Sequence, residues 1–315
     1  MTDRQSLPRF IAPMLLTATR EVPAHPGWAL EVKWDGMRAQ LRYDGQRVAL
    51  RSRPGRDCIA QFPELHALAA ALDNQVMVDG ELVCFDENGL PDFDRLRSRL
   101  RARTAAAITA ARALTPATLL IFDLLHLGGR STRNLPYRER RARLDELGLH
   151  GSAWQTPRAF SIDEDLITVT RDRHLEGVVA KRLDATYQPG RRGGAWLKHK
   201  HRHRERLTIT AWRPGNGREP DELLLSRREP SGALRYAGGV RFGLDSADRA
   251  RLGTILERIE QPCSHRARVR RVPPLVEVDV DYHGCPGGPL RDPVMRNLMP
   301  PQQPRRSPDQ PQGAG

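Results

Sequence analysis

The lysines are the first residues whose type suggests chemistry. The chain carries 51 cationic residues, and only four of them are lysines, Lys33, Lys181, Lys198 and Lys200; the other 47 are arginines. A guanidinium group stays protonated, whereas a lysine amine can lose a proton and attack an electrophile, or bind a phosphate as a compact charge. Because this chain uses arginine for general positive charge, the four lysines are candidates for roles that arginine cannot fill. The alternative is compositional drift that left four lysines by chance.

Lys33 is the strongest candidate for a nucleophile. It lies near the end of a strand predicted over residues 29–34 and opens the segment 33–38, which reads Lys-Trp-Asp-Gly-Met-Arg. The Asp-Gly pair in this segment predicts a tight turn directly after the strand. A lysine nucleophile requires surroundings that favour its neutral amine, which nearby cations or a bound metal ion can provide. A lysine in a solvent-exposed hairpin is the alternative interpretation.

Two carboxylates lie in apolar strands, where an unpaired charge is costly. Glu81 lies within a strand predicted over residues 75–85, and Glu176 opens another strand. Two glutamates that face one pocket could hold a hard divalent cation and leave positions for phosphate oxygens and water. Ion pairs with the abundant arginines are the alternative for each. Lys198 and Lys200 are two residues apart in an extended segment, so they share a face and could bind one polyphosphate together.

The hydrophobic pattern predicts the elements that must position these residues. In the first 200 residues, turn signals and apolar alternation predict strands over 29–34, 38–43, 47–52, 75–85, 117–124 and 176–181. The same stretch contains predicted helices over 59–72, 95–113 and 137–147. Beyond residue 200 the pattern predicts strands over 207–212, 222–227, 234–240 and 275–282, and a helix over 246–259 with Ser246 as its N-cap. Several short strands and one helix within about 100 residues are typical of a small barrel such as an oligonucleotide-binding (OB) fold.

The chain is therefore expected to be an α+β protein of two domains. We predict a first domain over residues 1–202, an OB-fold β-barrel over 203–300, and a disordered tail rich in Pro, Gln and Gly over 301–315. The four cysteines form no Cys-x-x-Cys pair, which argues against a zinc ribbon or a disulfide framework. No apolar run is long enough to span a membrane, and no secretory signal is evident. We expect a cytoplasmic monomer without a membrane partner.

The charge balance indicates a polyanionic partner. Lys and Arg number 51 against 38 for Asp and Glu, which gives a formal net charge of +13. A surplus of this size is typical of proteins that bind nucleic acid. The alternative is that the charge serves only to keep the protein in solution.

Six segments, taken together, resemble the ordered motifs of the covalent nucleotidyltransferase superfamily, which includes ATP-dependent DNA ligases, RNA ligases and mRNA capping enzymes. They are residues 31–38, 52–57 with 61–65, 79–85, 121–125, 175–182 and 196–200, and all four lysines fall within them. The segments are most similar to those of bacterial ATP-dependent DNA ligases, both small stand-alone forms and the ligase modules of end-joining enzymes. The resemblance covers most of residues 10–300. It implies a nucleotidyltransferase (adenylation) domain with antiparallel sheets and flanking helices, followed by a small OB-fold barrel.

The resemblance also implies a covalent mechanism that uses ATP and Mg²⁺ or Mn²⁺. Lys33 would attack the α-phosphate of ATP, and the resulting lysyl-AMP would transfer AMP to the 5′-phosphate of nicked or broken duplex DNA. The resemblance places the other residues around the nucleotide, with Glu31 in the adenine site, Phe122 stacked on the base, Glu81 at the ribose or the metal, Glu176 at the metal, Lys198 and Lys200 at the α-phosphate, and Arg38 and Arg53 at the ribose or the nick phosphate. For Lys181 two roles stay open, a phosphate contact or a structural ion pair.

One segment departs from the family pattern. The family ends its barrel domain with a cationic motif that helps to orient pyrophosphate, whereas Met299 stands here where a cation is expected. We therefore expect slow self-adenylation, or substitution by Arg296, Arg305 or Arg306. A role in DNA repair, with an end-bridging repair protein as a candidate partner, is the main prediction. The alternatives are an RNA ligase or capping-type nucleotidyltransferase with the same covalent lysine, and a catalytically weak nucleic-acid-binding scaffold.

Overall fold

The computed structural model describes residues 6–215, 219–241, 243–262, 268–284 and 287–299. The chain divides into two compact units between Lys200 and His201. Several positions singled out in the sequence lie outside the described residues, namely the predicted tail at 301–315, which includes Arg305 and Arg306, and the cysteines Cys263 and Cys285. No helix in the described ranges is both long enough and apolar enough to cross a membrane.

The strands of the first unit form two sheets. In chain order they are β1 (Leu15–Ala18), β2 (Trp28–Val32), β3 (Met37–Tyr43), β4 (Val48–Ser52), β5 (Val76–Cys84), β6 (Ala117–Leu127), β7 (Arg130–Ser131), β8 (Trp154–Gln155), β9 (Phe160–Ser161), β10 (Gly177–Arg182) and β11 (Arg192–Lys200). One sheet has the order β1-β11-β10-β2-β9, and the other has the order β4-β3-β5-β6-β7 with β8 beside β6. All pairs are antiparallel except β1 with β11 and β6 with β8. The six predicted strands of this unit are confirmed.

The helices of the first unit are α1 (Phe93–Arg101), α2 (Ala105–Leu114), α3 (Tyr137–Glu146) and α4 (Leu166–Asp172), together with 3-10 helices at Ile59–Gln61 and Pro63–Ala71. The prediction for residues 59–72 was wrong in type, because the segment forms two 3-10 helices. Pro63, which has no N–H to donate, starts the second of them. The single helix predicted over 95–113 is also wrong. The helix breaks at Ala102, which is extended, and Thr104 starts α2, since its hydroxyl accepts a hydrogen bond from the Ala107 N–H.

Two apolar clusters hold the sheets of this unit in place. Leu41, Val78 and Leu119 of the second sheet pack with residues of the 3-10 segment and α1. A second cluster joins the two sheets, since Met77 and Leu125 of one sheet share it with Trp196 of the other. Burial of these large apolar side chains supplies the main favourable term for folding. The two sheets therefore meet close to the strand ends that carry the motif residues.

The second unit is built on one sheet. Its elements are β12 (His203–Pro214), β13 (Pro220–Arg228), β14 (Leu234–Val240), α5 (Ser246–Ile259), β15 (Arg270–Arg271), β16 (Glu277–His283) and β17 (Arg291–Leu298). The sheet has the antiparallel order β14-β13-β12-β16-β17, with β15 beside β12, and Leu252 and Leu256 of α5 pack in its core. The four predicted strands and the helix are confirmed. The N-cap of α5 is Asp245 instead of Ser246, because the Asp245 carboxylate accepts a hydrogen bond from the Asp248 N–H.

Candidate active site

Three neighbouring strand ends bring Lys33, Glu176 and Lys200 together. Lys33 follows β2, and its backbone N–H donates a hydrogen bond to the Gly177 carbonyl oxygen at 2.9 Å. Gly177 opens β10 and lies opposite Lys200 of β11. Its φ is +148°, and a Cβ at this position would lie 2.1 Å from the His199 carbonyl oxygen, so the close approach requires glycine. Glu176, one residue earlier, is thereby held between the two lysines.

The carboxylate of Glu176 binds both amines. Its Oε2 lies 2.5 Å from Lys33 Nζ, and its Oε1 lies 2.9 Å from Lys200 Nζ. Burial alone would raise the pKa of Glu176, but the charges and hydrogen bonds of Lys33 and Lys200 outweigh it and lower the pKa. Glu176 is therefore anionic at neutral pH. Lys198 lies on the same strand as Lys200, and the pKa of Lys198 is lowered by partial burial and by the neighbouring amines of Lys200 and Lys33.

Glu81 lies across the turn that follows Lys33. A Cβ on Gly36 would lie 2.3 Å from the Leu82 carbonyl oxygen, so the turn can rest against β5 because residue 36 is glycine. Arg38 on β3 is opposite Glu81 on β5. Burial raises the pKa of Glu81 to about 7, although Arg38 and Lys33 act in the opposite direction. Glu81 thus takes up or releases a proton near physiological pH.

Arg38 is held by a buried acid and two aromatic rings. Its Nε and Nη2 atoms donate hydrogen bonds to the two carboxylate oxygens of Asp79 at 2.7 and 2.6 Å. Asp79 is fully buried and also accepts a hydrogen bond from the Tyr187 hydroxyl at 2.6 Å. The guanidinium carbon of Arg38 lies 4.8 Å from the Phe122 ring centroid and 5.4 Å from that of Trp196. These contacts therefore fix the orientation of the Arg38 guanidinium group.

Lys181 forms an ion pair with Glu31 behind this site. Lys181 Nζ lies 2.7 Å from Glu31 Oε2, and it donates a hydrogen bond to the Phe122 carbonyl oxygen at 3.2 Å. The Tyr137 hydroxyl donates to the other carboxylate oxygen of Glu31. Lys181 is 1% exposed and Glu31 is 7% exposed. Burial lowers the pKa of Lys181, and the neighbouring Glu31 offsets part of that effect. Of the two roles considered for Lys181, the structure shows the ion pair.

Two pockets share Lys33, Arg38 and Glu81 in their walls. The narrower pocket is otherwise mostly apolar and includes Glu31, Phe122 and Lys181 in its lining. The wider pocket is rich in cations, and its lining includes Arg53, Arg192, Lys198 and Lys200. The structure therefore brings all the sequence-predicted site residues to one place, with Glu176 in contact with two of the lining lysines. The narrow pocket is lined mainly by apolar and aromatic side chains, and the wide one mainly carries cationic side chains among its polar groups.

Glu81 and Glu176 are the two carboxylates of this site that could hold a hard divalent cation. A cation at Glu176 would replace a lysine amine, because Lys33 and Lys200 bind its two carboxylate oxygens. Within the described part of the chain no group of three or more His, Cys, Asp or Glu residues could form a metal cage. Mg²⁺ is commonly held by one or two carboxylates and completes its shell with phosphate oxygens and water. The negative charge of Glu176 also contributes to the raised pKa of Glu81. Two oxygen donors beside a cationic pocket match that pattern.

Some residues of the site carried no signal in the sequence. Tyr187 lies outside the predicted elements, and Tyr137 opens a predicted helix, but the hydroxyl groups of both reach the site only through long-range contacts. Arg192 lines the wider pocket from β11, the strand that also carries Lys198. Its position could have been inferred from that shared strand. The hydroxyl groups of the two tyrosines could not, because their partners are more than 100 residues away.

Comparison with known proteins identifies the class. The model of the ATP dependent DNA ligase domain matches residues 13–200. The match spans more than half of the chain, and the chain therefore belongs to the ATP-dependent DNA ligase family. Its fold is that of the nucleotidyltransferase-type ligases.

Individual relatives are similar over most of this chain. The multifunctional non-homologous end joining DNA repair protein LigD of Mycobacterium tuberculosis is 34% identical over 310 residues, which cover 93% of this chain and 39% of LigD. A probable DNA ligase of Streptomyces avermitilis is 33% identical over 89% of this chain and 57% of its own length. The solved structure of mycobacterial DNA ligase D complexed with ATP and MES has a TM-score of 0.55 and 33% identity, and the match covers 94% of this chain and 97% of that one. This chain thus spans 39% of the length of LigD.

Proposed function

We propose that this chain seals nicks or breaks in duplex DNA through a lysyl-AMP intermediate, as the ligase part of an end-joining repair reaction. The observation that carries the proposal is the convergence of Lys33, Glu176 and Lys200 at three adjacent strand ends. All three residues lie in the region that matches the ligase domain. The similarity to LigD, a non-homologous end joining DNA repair protein, supports the repair role. An end-bridging repair protein is the partner that we propose for it.

In the first step, the Lys33 amine attacks the α-phosphorus of ATP. A nitrogen–phosphorus bond forms, the bond to the pyrophosphate leaving group breaks, and Lys33 gives up one proton. Lys198 and Lys200 line the wide pocket and neutralise phosphate oxygens there. Asp79 fixes the orientation of the Arg38 guanidinium group. Mg²⁺ or Mn²⁺ held by Glu81 and Glu176 would add charge neutralisation at the phosphates. Alignment and charge neutralisation are the main contributions that a protein makes to such transfers.

We infer that the narrow pocket takes adenine with its 6-amino group facing Glu31. Glu31 lines it, and a carboxylate can only accept hydrogen bonds when ionised. Adenine presents its 6-amino group as a donor, whereas guanine presents the O6 oxygen as an acceptor at the same position. An acceptor facing an acceptor is repulsive and leaves both groups unpaired. This favours ATP over the GTP that a capping-type enzyme would use, with Phe122 stacked on the base.

In the later steps, AMP moves to the 5′-phosphate of the DNA, and the 3′-hydroxyl then displaces AMP to join the strands. Arg53 and Arg192 lie in the wide pocket and are exposed, so they are available for phosphates that arrive from solution. We assign residues 203–300, which lie within the second unit, to an OB-type domain that assists DNA binding. Its antiparallel sheet packed around α5 supports this assignment.

Intact-protein and peptide mass spectrometry tests the proposal. After incubation with ATP and Mg²⁺ or Mn²⁺, we expect a mass increase of one adenylyl group located on Lys33, lost again on addition of nicked DNA. Lys33→Ala and Lys33→Arg should both lack the adduct, because a guanidinium group cannot act as the nucleophile at neutral pH. GTP and nicked RNA serve as the controls for the alternative substrates. An adduct on another residue, or sealing by Lys33→Arg, would refute the role of Lys33.

A further inference from the structure

Helices α1 and α2 carry an uncompensated basic surface. Residues 95–122 contain six arginines and no aspartate or glutamate. Each of the first three arginines is paired with an acid that lies outside residues 95–122. The pairs are Arg95 with Glu87, Arg97 with Asp94 and Arg99 with Glu64. The other three, Arg101, Arg103 and Arg112, are exposed, and no ion pair joins them to an acid in the described ranges. We call these three residues and the exposed face of α2 the α1–α2 surface.

The α2 helix exposes mostly small side chains. None of its residues is buried, and six of its ten residues are alanines. Leu114, at its last position, is its one exposed large apolar side chain, and α2 contains no aromatic residue. A protein partner is usually anchored by aromatic or other large side chains, which this face lacks. Small side chains flanked by arginines instead allow a phosphate backbone to approach the helix directly.

Helix α1 connects the wide pocket with the α1–α2 surface. Phe93, the first residue of α1, lines the wide pocket together with Lys33 and Lys198. At a rise of 1.5 Å per residue, Arg101 lies about 12 Å farther along the helix axis. Arg103 lies two residues before α2, and Arg112 lies in its last turn. From Ala105 to Arg112 the helix rises about 10 Å, which corresponds to about three phosphates of one strand measured along a duplex axis.

We propose that Arg101, Arg103 and Arg112 bind the phosphate backbone of the duplex that flanks the break while its ends lie at Lys33. The contact is independent of base sequence, because it is made by guanidinium groups on phosphates. The position of the duplex on this surface rests on the proposed function, because that function places the DNA end at Lys33. The affinity itself does not depend on the chemistry at Lys33.

The test compares two triple variants in DNA binding. In Arg101→Ala/Arg103→Ala/Arg112→Ala, we expect the dependence of log K on log salt for a nicked duplex to be less steep by about 2 to 3, since each lost phosphate contact removes about 0.9. The matched control is Arg138→Ala/Arg143→Ala/Arg171→Ala, which removes three exposed arginines from α3 and α4. It should keep the wild-type salt dependence, although it loses the same net charge.

Two further measurements separate this surface from the active site. The first triple variant should still form the AMP adduct on Lys33 at the wild-type rate, and the Arg→Lys version of the same triple should recover the salt dependence. An unchanged salt dependence, or an equal change in the control variant, would overturn the proposal. If the wild-type protein formed no AMP adduct with ATP, the proposed function would be wrong. The comparison of DNA binding between the variants would still test the α1–α2 surface in that case. If the alanine variant fails to fold, Arg101→Gln/Arg112→Gln repeats the comparison, and an unchanged salt dependence there overturns the proposal.

Discussion

Glu176 holds the amine of Lys33 at 2.5 Å and is itself bound by Lys200 on its other oxygen. The nucleophile is therefore already directed by a carboxylate before any substrate arrives. Glu176 serves two purposes in the proposed reaction, because it orients Lys33 and is one of the two acids available to a metal ion. Loss of its charge should affect the first chemical step above all.

Glu176→Gln should reduce the rate of adduct formation on Lys33 by about two orders of magnitude, a typical effect for the loss of one pre-positioned electrostatic group. The rate is followed by transfer of label from ATP at several Mg²⁺ concentrations. Glu139→Gln, at an exposed position on α3, is the matched control and should behave as the wild type. A rate for Glu176→Gln within a factor of three of the wild type would show that the carboxylate is dispensable.

Tyr187→Phe should weaken ATP binding with little effect on the chemical step. The Tyr187 hydroxyl donates to Asp79, which in turn fixes Arg38 at the wall of both pockets. Loss of a hydrogen bond to a charged group is worth about 1.5 kcal/mol, or about tenfold in KM for ATP. KM and kcat of self-adenylation are measured together, with Tyr236→Phe in the second unit as the control. A lowered kcat at unchanged KM would contradict a positioning role for Tyr187.

Lys181→Met should destabilise the first unit. Lys181 and Glu31 form a buried ion pair, and removal of one partner leaves the other charge without compensation. The free energy of unfolding, measured by urea titration, should fall by about 3 to 5 kcal/mol. Lys181→Met/Glu31→Gln should be more stable than the sum of the two single changes predicts. Strict additivity in this cycle would mean that the pair contributes no coupling energy.

The stability of the metal-free protein should fall as pH rises from about 5 to 7, and Glu81 should be one cause. Its folded-state pKa is about 7, above the usual value for a glutamate, because the charged form is buried. The folded state therefore binds more protons than the unfolded state in this range, and that advantage is lost as pH passes the folded pKa. Urea titrations in a chelating buffer should show a shallower pH dependence for Glu81→Gln. Identical profiles for the two proteins would exclude Glu81 as the titrating group.

The sequence was informative where local pattern and chemistry coincide. Lys33 and Glu81 lie in strands that the apolar pattern predicted, and Lys200 lies in a segment that was expected to be extended, so the elements that carry them could be predicted. Glycines at 36 and 177 permit the close approach of these strands, and both stand in the motif segments. Residue types and the predicted ends of strands were thus sufficient to predict the centre of the site.

Long-range partners and short elements could not be predicted. β1 has four residues and pairs in parallel with β11, about 180 positions later, so no local signal marks it. The Tyr187 hydroxyl reaches Asp79 from a position 108 residues away. The 3-10 helix at Pro63–Ala71 has an apolar pattern similar to that of an α-helix, and Pro63 together with tertiary packing decides its type. These features depend on the assembled fold.

The scarcity of lysine has a practical consequence. Every lysine side chain of this protein lies in the walls of the two adjoining pockets. An acylating reagent that ignores guanidinium groups would therefore find, apart from the chain's amino terminus, no target beyond the nucleotide site. Chemical footprinting with such a reagent would report occupancy of this one region without an engineered label.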